Sequence, residues 1–201
     1  MDEMLKSAAE AGDINKLYAS IRDDPYLLDR VDHVLFVETP LHIAASLGHT
    51  KLAMEIMRLK PSFSKKPNQD GFSPLHLALQ NKQTNMVRRL VGCESDLVRV
   101  RGREGKTPLH CVVEEGDICL LAEFLSICPQ SILDVTIGSE TGLHIAVRNF
   151  KFDAFDVLVG RLKRANHRGS KNQEKETLNW RDDEGNTALH VAALTKQHKA
   201  S

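Results

Sequence analysis

The sequence predicts an all-α solenoid of about five full helix-pair units and a truncated sixth, with projecting β-hairpin loops between them. Three observations carry this. A four-residue motif recurs at Thr39-Pro40-Leu41-His42, Ser73-Pro74-Leu75-His76, Thr107-Pro108-Leu109-His110, Thr141-Gly142-Leu143-His144 and Thr187-Ala188-Leu189-His190, at intervals of 34, 34, 34 and 46 residues. Within each full period, apolar residues fall twice at helical spacing. The remainder of each period runs through Pro, Asn, Asp and Gly, the residues of turns. A fixed period of this size points to stacked repeats and sets the organisation of the chain.

Each element follows from the same chemistry. The Ser or Thr of the motif caps the unpaired N–H groups of a helix, and Pro suits the first helical position because its missing N–H and fixed φ carry no penalty there. The motif Leu, the residue two later (Ile43, Leu77, Cys111, Ile145, Val191) and the next one (Ala44, Ala78, Val112, Ala146, Ala192) form the apolar face of a first helix. A polar break follows, and then a second amphipathic run, for example Leu52, Ala53, Ile56 and Met57, or Leu120, Leu121, Phe124 and Leu125. Tip sequences such as Asn68-Gln69-Asp70-Gly71 and Asp182-Asp183-Glu184-Gly185 lead into the next cap.

The units run 1–38, 39–72, 73–106, 107–140, 141–186 and 187–201. In the first, Leu5 to Gly12 aligns with Leu41 to Gly48, and Lys16 and Ser20 replace apolar residues, so it reads as an N-terminal cap with a polar outer face. The fifth carries a 12-residue excess, a basic segment near 163–177 expected to be a disordered surface loop. The sixth stops at Ser201, where alignment would begin its second helix. The chain there looks cut, or is a shortened product.

Composition excludes several functions. The 201 residues hold 27 Lys or Arg and 27 Asp or Glu, so no net field attracts a nucleic acid. The acidic start and the lack of an 18-residue apolar run exclude a signal peptide and membrane insertion by these residues. Cys93, Cys111, Cys119 and Cys128 contain no C-x-x-C pair, which excludes a zinc knuckle and a disulfide scaffold. Alignment places Cys111 in the core and lets Cys119 and Cys128 touch solvent. The five motif histidines stand about one helix-packing distance apart, too far to share a metal ion. Asp182, Asp183 and Glu184 read as a solvated tip rather than a calcium loop. No catalytic motif, cofactor loop or metal site is present, and the expected function is binding, not catalysis.

Charge is uneven by unit: −5, +3, +4, −6, +2 and +2 in order. Lys65 and Lys66 precede one tip, and Arg99, Arg101, Arg103 and Lys106 make the next, with a strand-like alternation that aims them to one side. They suit either an anionic partner surface or a solubilising edge.

Helix pairs with this motif resemble ankyrin repeats over essentially the whole chain from Met4. The tetratricopeptide repeat shares the period but not the Trp and Tyr pattern. Pro followed by apolar residues ahead of the tips (Asp24-Pro25-Tyr26-Leu27-Leu28, Lys60-Pro61-Ser62-Phe63, Cys128-Pro129-Gln130-Ser131-Ile132), with Asn68 to His76 and Leu178 to Thr187, is similar to the plant ankyrin proteins that carry a C-terminal membrane-embedded PGG domain. The resemblance implies that each motif His ties the Thr cap to a neighbouring loop. It also implies a cytosolic array followed by membrane helices and a role in defence signalling, with cytoplasmic residence if Ser201 is the natural end. The variable positions of the repeat then mark a protein-binding groove: Glu38; Asp70, Phe72, Gln80 and Asn81; Arg101, Arg103, Lys106, Glu114 and Glu115; Glu140, Arg148 and Asn149. The alternative is a soluble adaptor or a binder of anionic lipid surfaces through the basic hairpins and loop.

Overall fold

A computed structural model describes residues 2–166 and 171–199. The chain forms two compact units, Met1–Arg103 and Glu104–Ser201. The first contains α1 (Glu3–Ala11), α2 (Ile14–Asp23), α3 (Leu27–His33), α4 (Pro40–Leu47), α5 (Thr50–Leu59), α6 (Pro74–Gln80) and α7 (Thr84–Cys93). Helices α1, α4 and α6 pack in one row, and α2, α5 and α7 in a second row behind it. The second unit contains α8 (Pro108–Glu115), α9 (Ile118–Ile127), α10 (Gly142–Arg148), α11 (Phe152–Asn166), α12 (Lys171–Leu178) and α13 (Ala188–Lys199). There α8, α10 and α13 pack in succession, α9 and α11 lie behind them, and α12 rests on α11.

The motif histidine closes each first helix at its start. Thr39, Ser73, Thr107 and Thr141 each form a reciprocal cap with the His three residues on. In each case the imidazole Nδ1 accepts from the cap backbone N–H, at 3.1 to 3.3 Å. That assigns the proton to Nε2, which donates to a loop carbonyl: His42 to Phe72 O at 3.0 Å, His110 to Asp134 O at 3.0 Å and His144 to Asn186 O at 3.1 Å. Each imidazole thus joins the helix that carries it to the turn leading into the following helix pair. Burial disfavours the imidazolium and lowers the His42 pKa from 6.5 to about 4.

The motif leucines Leu41, Leu75, Leu109 and Leu143 are buried, together with Ala44, Ala78, Val112 and Ala146 and the inner faces of the second helices. Ile43, Leu77 and Cys111 are only half-buried, a correction to their expected place in the core. Ser20 is also buried rather than part of a polar outer face, its hydroxyl donating to Lys16 O at 3.0 Å. The first helices then stop in a left-handed residue at one repeated position, Gly48, Lys82, Gly116 and Phe150, with φ between 56° and 79°. Glycine takes this conformation without strain, whereas Lys82 and Phe150 each bear about 1 kcal/mol or more.

Of the Pro-led segments ahead of the tips, Pro61–Lys65 and Pro129–Leu133 are 3₁₀ turns that bury Phe63 and Ile132, and the one at Pro25 leads into α3; the Pro-free Ser95–Arg99 is also a 3₁₀ turn and buries Leu97 and Val98. The projecting loops are hairpin-shaped turns closed by single backbone bonds such as Asn68 N–H to Phe72 O and Thr136 N–H to Glu140 O. Among the described residues the only bridge of strand type joins Val135 and Thr141. Arg99 ends a 3₁₀ turn and Arg103 starts another, so the expected strand-like alternation of the basic set is absent.

Two further expectations are corrected toward helix. Lys163 to Asn166 extend α11, and Lys171 to Thr177 lie in α12, so the inserted basic segment is largely helical; residues 167–170 fall outside the described residues. In the last unit α13 continues unbroken to Lys199 instead of breaking before a second helix. Its motif residue Leu189 is 70% exposed, where Leu109 is 0% exposed.

That contrast predicts opposite outcomes for one substitution. Leu109→Ala should cost roughly 2 to 5 kcal/mol in urea unfolding, and Leu189→Ala less than about 0.5 kcal/mol; equal losses would contradict the packing. The buried histidine predicts acid sensitivity. Because folding lowers its pKa, His42 contributes stability that is complete above about pH 6.5 and declines toward pH 4, by roughly 3 kcal/mol in full. Unfolding free energies measured from pH 7 to 4.5 should fall less steeply in His42→Gln, and an unchanged slope would refute the neutral imidazole.

Candidate functional site

The tips of the first unit lie side by side. Val37 N–H donates to Pro67 O at 3.3 Å, and a Cβ on Gly71 would stand 3.6 Å from the Arg103 backbone. A residue at the base shapes the middle turn: Asn68 Oδ1 accepts from the N–H groups of Asp70 (3.1 Å) and Phe72 (2.9 Å). In the second unit Thr136 Oγ1 accepts from Glu140 N–H at 3.2 Å, and Asp182 Oδ1 from those of Glu184 (3.1 Å) and Asn186 (2.8 Å). These positions correspond along the repeat, and all three side chains are buried. Asp182 is therefore a structural turn residue, not part of a solvated acidic cluster; Asp183 and Glu184 are exposed.

The predicted contact residues separate into three groups. Glu38, Asp70, Gln80, Arg101, Arg103 and Glu115 are exposed, and Phe72 is half-buried with its ring tilted against His76 at 6.1 Å. Asn81 and Asn149 instead finish helices: their side-chain amides donate to Leu77 O and Ile145 O, both at 2.9 Å. The remaining four are ion-paired. Lys106 Nζ stands 3.0 Å from Glu114, and Arg148 Nη2 stands 2.8 Å from Glu140 and 3.9 Å from Asp182. Desolvation opposes the Lys106 charge, but its hydrogen bond to Glu114 and the nearby carboxylates outweigh it and raise its pKa.

Cationic character at the tips narrows accordingly. Lys65 pairs with Glu94, and Lys66 with Asp32 at 3.4 Å. Arg101 and Arg103 remain exposed on the tip between α7 and the first-unit boundary. Sequence reasoning missed the apolar part of this surface: Leu35 is 77% and Phe36 59% exposed, next to exposed Val34. The available signal was an apolar run, Val34 to Val37, that lacks helical periodicity and directly precedes a cap.

The thiols do not assemble into a reactive or metal-binding group. Cys128 is buried, contrary to the solvent contact expected of it, because it begins the 3₁₀ turn that inserts Ile132. Cys111 is half-buried, and burial pushes its thiol up to about 12, aided by the charge of Glu114. Cys93 and Cys119 are exposed. Among the described residues no three His, Cys, Asp or Glu side chains are grouped to hold a metal ion. No described helix is long and apolar enough to cross a membrane.

Comparisons with known proteins agree with this architecture. A family model described as Ankyrin repeats (3 copies) matches residues 5–101 and again 42–138. Ankyrin repeat-containing protein BDA1 of Arabidopsis thaliana is 45% identical over 199 residues, 99% of this chain and 46% of that protein, so the chain spans about half the length of this curated relative. Among solved structures, a chain from the complex of the Bd0816 predatory endopeptidase of Bdellovibrio bacteriovorus with immunity protein Bd3460 superposes with a TM-score of 0.70 at 22% identity. The match covers 98% of this chain and 94% of that one, and it speaks to fold alone.

Thiol reactivity offers a direct check of the side-chain placement. Ellman's reagent should modify Cys93 and Cys119 of the native protein at pH 8 quickly and Cys111 and Cys128 only on unfolding. Mass spectrometry showing Cys111 modified first would contradict the assignment.

Proposed function

The chain belongs to the ankyrin-repeat family, and on that premise we propose that it is a non-catalytic protein-recognition module whose contacts are made by the loop tips and the exposed side of the first helices. Ankyrin repeats are protein-interaction domains, which is the coarser part of this reading. The observation that carries the finer part is the row of adjoining tips in the first unit. Exposed Leu35 and Phe36, half-buried Phe72, and exposed Arg101 and Arg103 are displayed on these neighbouring turns, the middle one fixed by the buried, hydrogen-bonded Asn68. Interface anchors are typically such aromatic and Arg side chains held on a rigid frame. Glu38, Asp70, Gln80 and Glu115 supply the polar rim.

The biological setting we propose is defence signalling in a plant cell, from the cytosolic side of a membrane, with attachment through residues beyond this array. Its support is the resemblance to plant ankyrin proteins with a membrane-embedded domain and the 45% identity to an Arabidopsis protein about twice as long. The exposed Arg101 and Arg103 also favour a second reading, a binder of anionic lipid surfaces.

Charge reversal separates the two. A partner obtained by two-hybrid selection with this array should lose roughly tenfold or more in affinity with Arg101→Glu plus Arg103→Glu, while Lys51→Glu plus Arg89→Glu on the second helices leaves binding intact. Loss through the second-helix pair alone would sink the tip reading. Salt-sensitive sedimentation of the array with phosphatidylserine vesicles, abolished by the same Arg reversals, would favour the lipid reading. Hydrophobic segments encoded after Ser201 are the expected finding for membrane attachment, and a stop codon there is the contrary one.

A further inference from the structure

We propose that the second unit holds a binding site for a cationic side chain, Arg or Lys, of a protein partner, and that Arg148 occupies this site as an internal placeholder until the partner displaces it. The inference rests on the reading that the tips recognise protein, and it specifies the chemistry of what one of them takes.

Two carboxylates from successive tips converge on one guanidinium. Glu140 ends the turn based on Thr136, and Asp182 forms the base of the next turn. Arg148, at the end of α10, places Nη2 2.8 Å from Glu140 Oε1 and 3.9 Å from Asp182 Oδ2. Neither oxygen accepts a hydrogen bond, although both are buried. Asp182 is the sharper case, with its side chain 3% exposed, Oδ1 filled by two backbone N–H groups, and Oδ2 facing the guanidinium without a bond. A buried carboxylate oxygen without an aligned donor is destabilising, and Asp182 Oδ2, with the guanidinium 3.9 Å away, favours a donor nearer than Arg148 supplies.

The surroundings suit a cation arriving from outside. Residues 107–140 contain six acidic and no Lys or Arg residues. An open groove of about 250 Å³ leads to Glu140 between Glu104, Lys106, Thr136, Ile137 and Gly138. Lys106 in its rim is held by Glu114 and Glu104, which offsets its charge toward an entering cation. Exposed Ile137 offers apolar surface to the aliphatic stem of an Arg or Lys side chain. The Arg148 side chain is 49% exposed, and it is held by ion pairs to the same two carboxylates that the partner would take. A planar guanidinium that meets both carboxylates fills the site more completely than an ammonium.

The test uses a fluorescein-labelled hexa-arginine peptide and the whole chain, read by fluorescence anisotropy. Arg148→Gln should tighten binding by roughly threefold to tenfold, because the internal competitor is gone, and Glu140→Gln with Asp182→Asn should weaken it by roughly tenfold. Asp153→Asn, at an exposed acidic residue of α11 outside the site, should change affinity less than about twofold. Unchanged affinity in Arg148→Gln, or equal losses from Asp153→Asn and the paired variant, would overturn the proposal in favour of diffuse attraction. A readout on the unaltered chain guards against misfolded variants: amide resonances of Gly138, Glu140 and Asp182 should shift on adding the peptide. Shifts at other tips alone overturn this site and leave tip recognition standing; shifts confined to α9 and α11 overturn both.

Discussion

A buried imidazole bonded at both ring nitrogens, as at His42, His110 and His144, is the constraint on which the stacked helix pairs depend. Its Nδ1 accepts from the cap amide and so starts the helix; its Nε2 donates to the loop ahead and so locates the next tip. A motif that looks like local capping therefore does nonlocal work: His42 reaches Phe72, and His144 reaches Asn186 across an insertion. The bond requires a neutral ring, and the desolvated setting that lowers the His42 pKa supplies one. The hydrophobic layers of Leu and Ala hold helices together, but they are nondirectional and would not by themselves aim a loop.

With the tip bases fixed, the tips can differ. Asn68, Thr136 and Asp182 accept from the turn N–H four residues on with an amide, a hydroxyl and a carboxylate oxygen, so one structural task is met by three chemistries. Only the carboxylate brings a second oxygen with charge, and that oxygen, together with Glu140, turns an ordinary turn base into half of a cation site. Gly102 stands at the corresponding position of the remaining turn, where a Cβ would lie 2.8 Å from the His76 ring, so that turn is shaped by close approach instead of by a side-chain acceptor. Variation at the visible ends of the loops thus rests on variation at their buried feet.

Much of this was legible in the residues. The helix starts and the burial of Leu41, Leu75, Leu109 and Leu143 followed from spacing and chemistry, and the structural role of the histidines followed from the resemblance to ankyrin repeats. The candidate surface was legible only in part. Arg101 and Arg103 are exposed as expected of contact residues, whereas Asn81 and Asn149 close helix ends, because a variable polar residue near a helix C-terminus has unpaired carbonyls within reach. Lys106, Glu114, Glu140 and Arg148 were chosen as independent contacts and are ion pairs, since complementary charges eight residues apart in sequence meet across a helix and its preceding loop. Leu35 and Phe36 were passed over because an apolar run before a cap looks the same whether it packs or projects.

What the sequence alone determined is the period, the all-α class and the position of each first helix, because capping, proline placement and helical spacing are local and repeat five times. What the tertiary structure decided is which side of each residue meets another element. Burial of Ser20, Asp182 and Cys128, exposure of Leu189, and the half-buried state of Ile43, Leu77 and Cys111 all depend on whether a neighbouring helix pair or turn stands against that side. The helical state of the basic insertion was decided in the same way: Lys163 to Asn166 continue a helix already formed by Phe152 to Leu162, and α12 packs back upon it. Composition taken alone reads such a polar segment as loop, because short helices gain most of their stability from the surface they rest on and little from their own propensity.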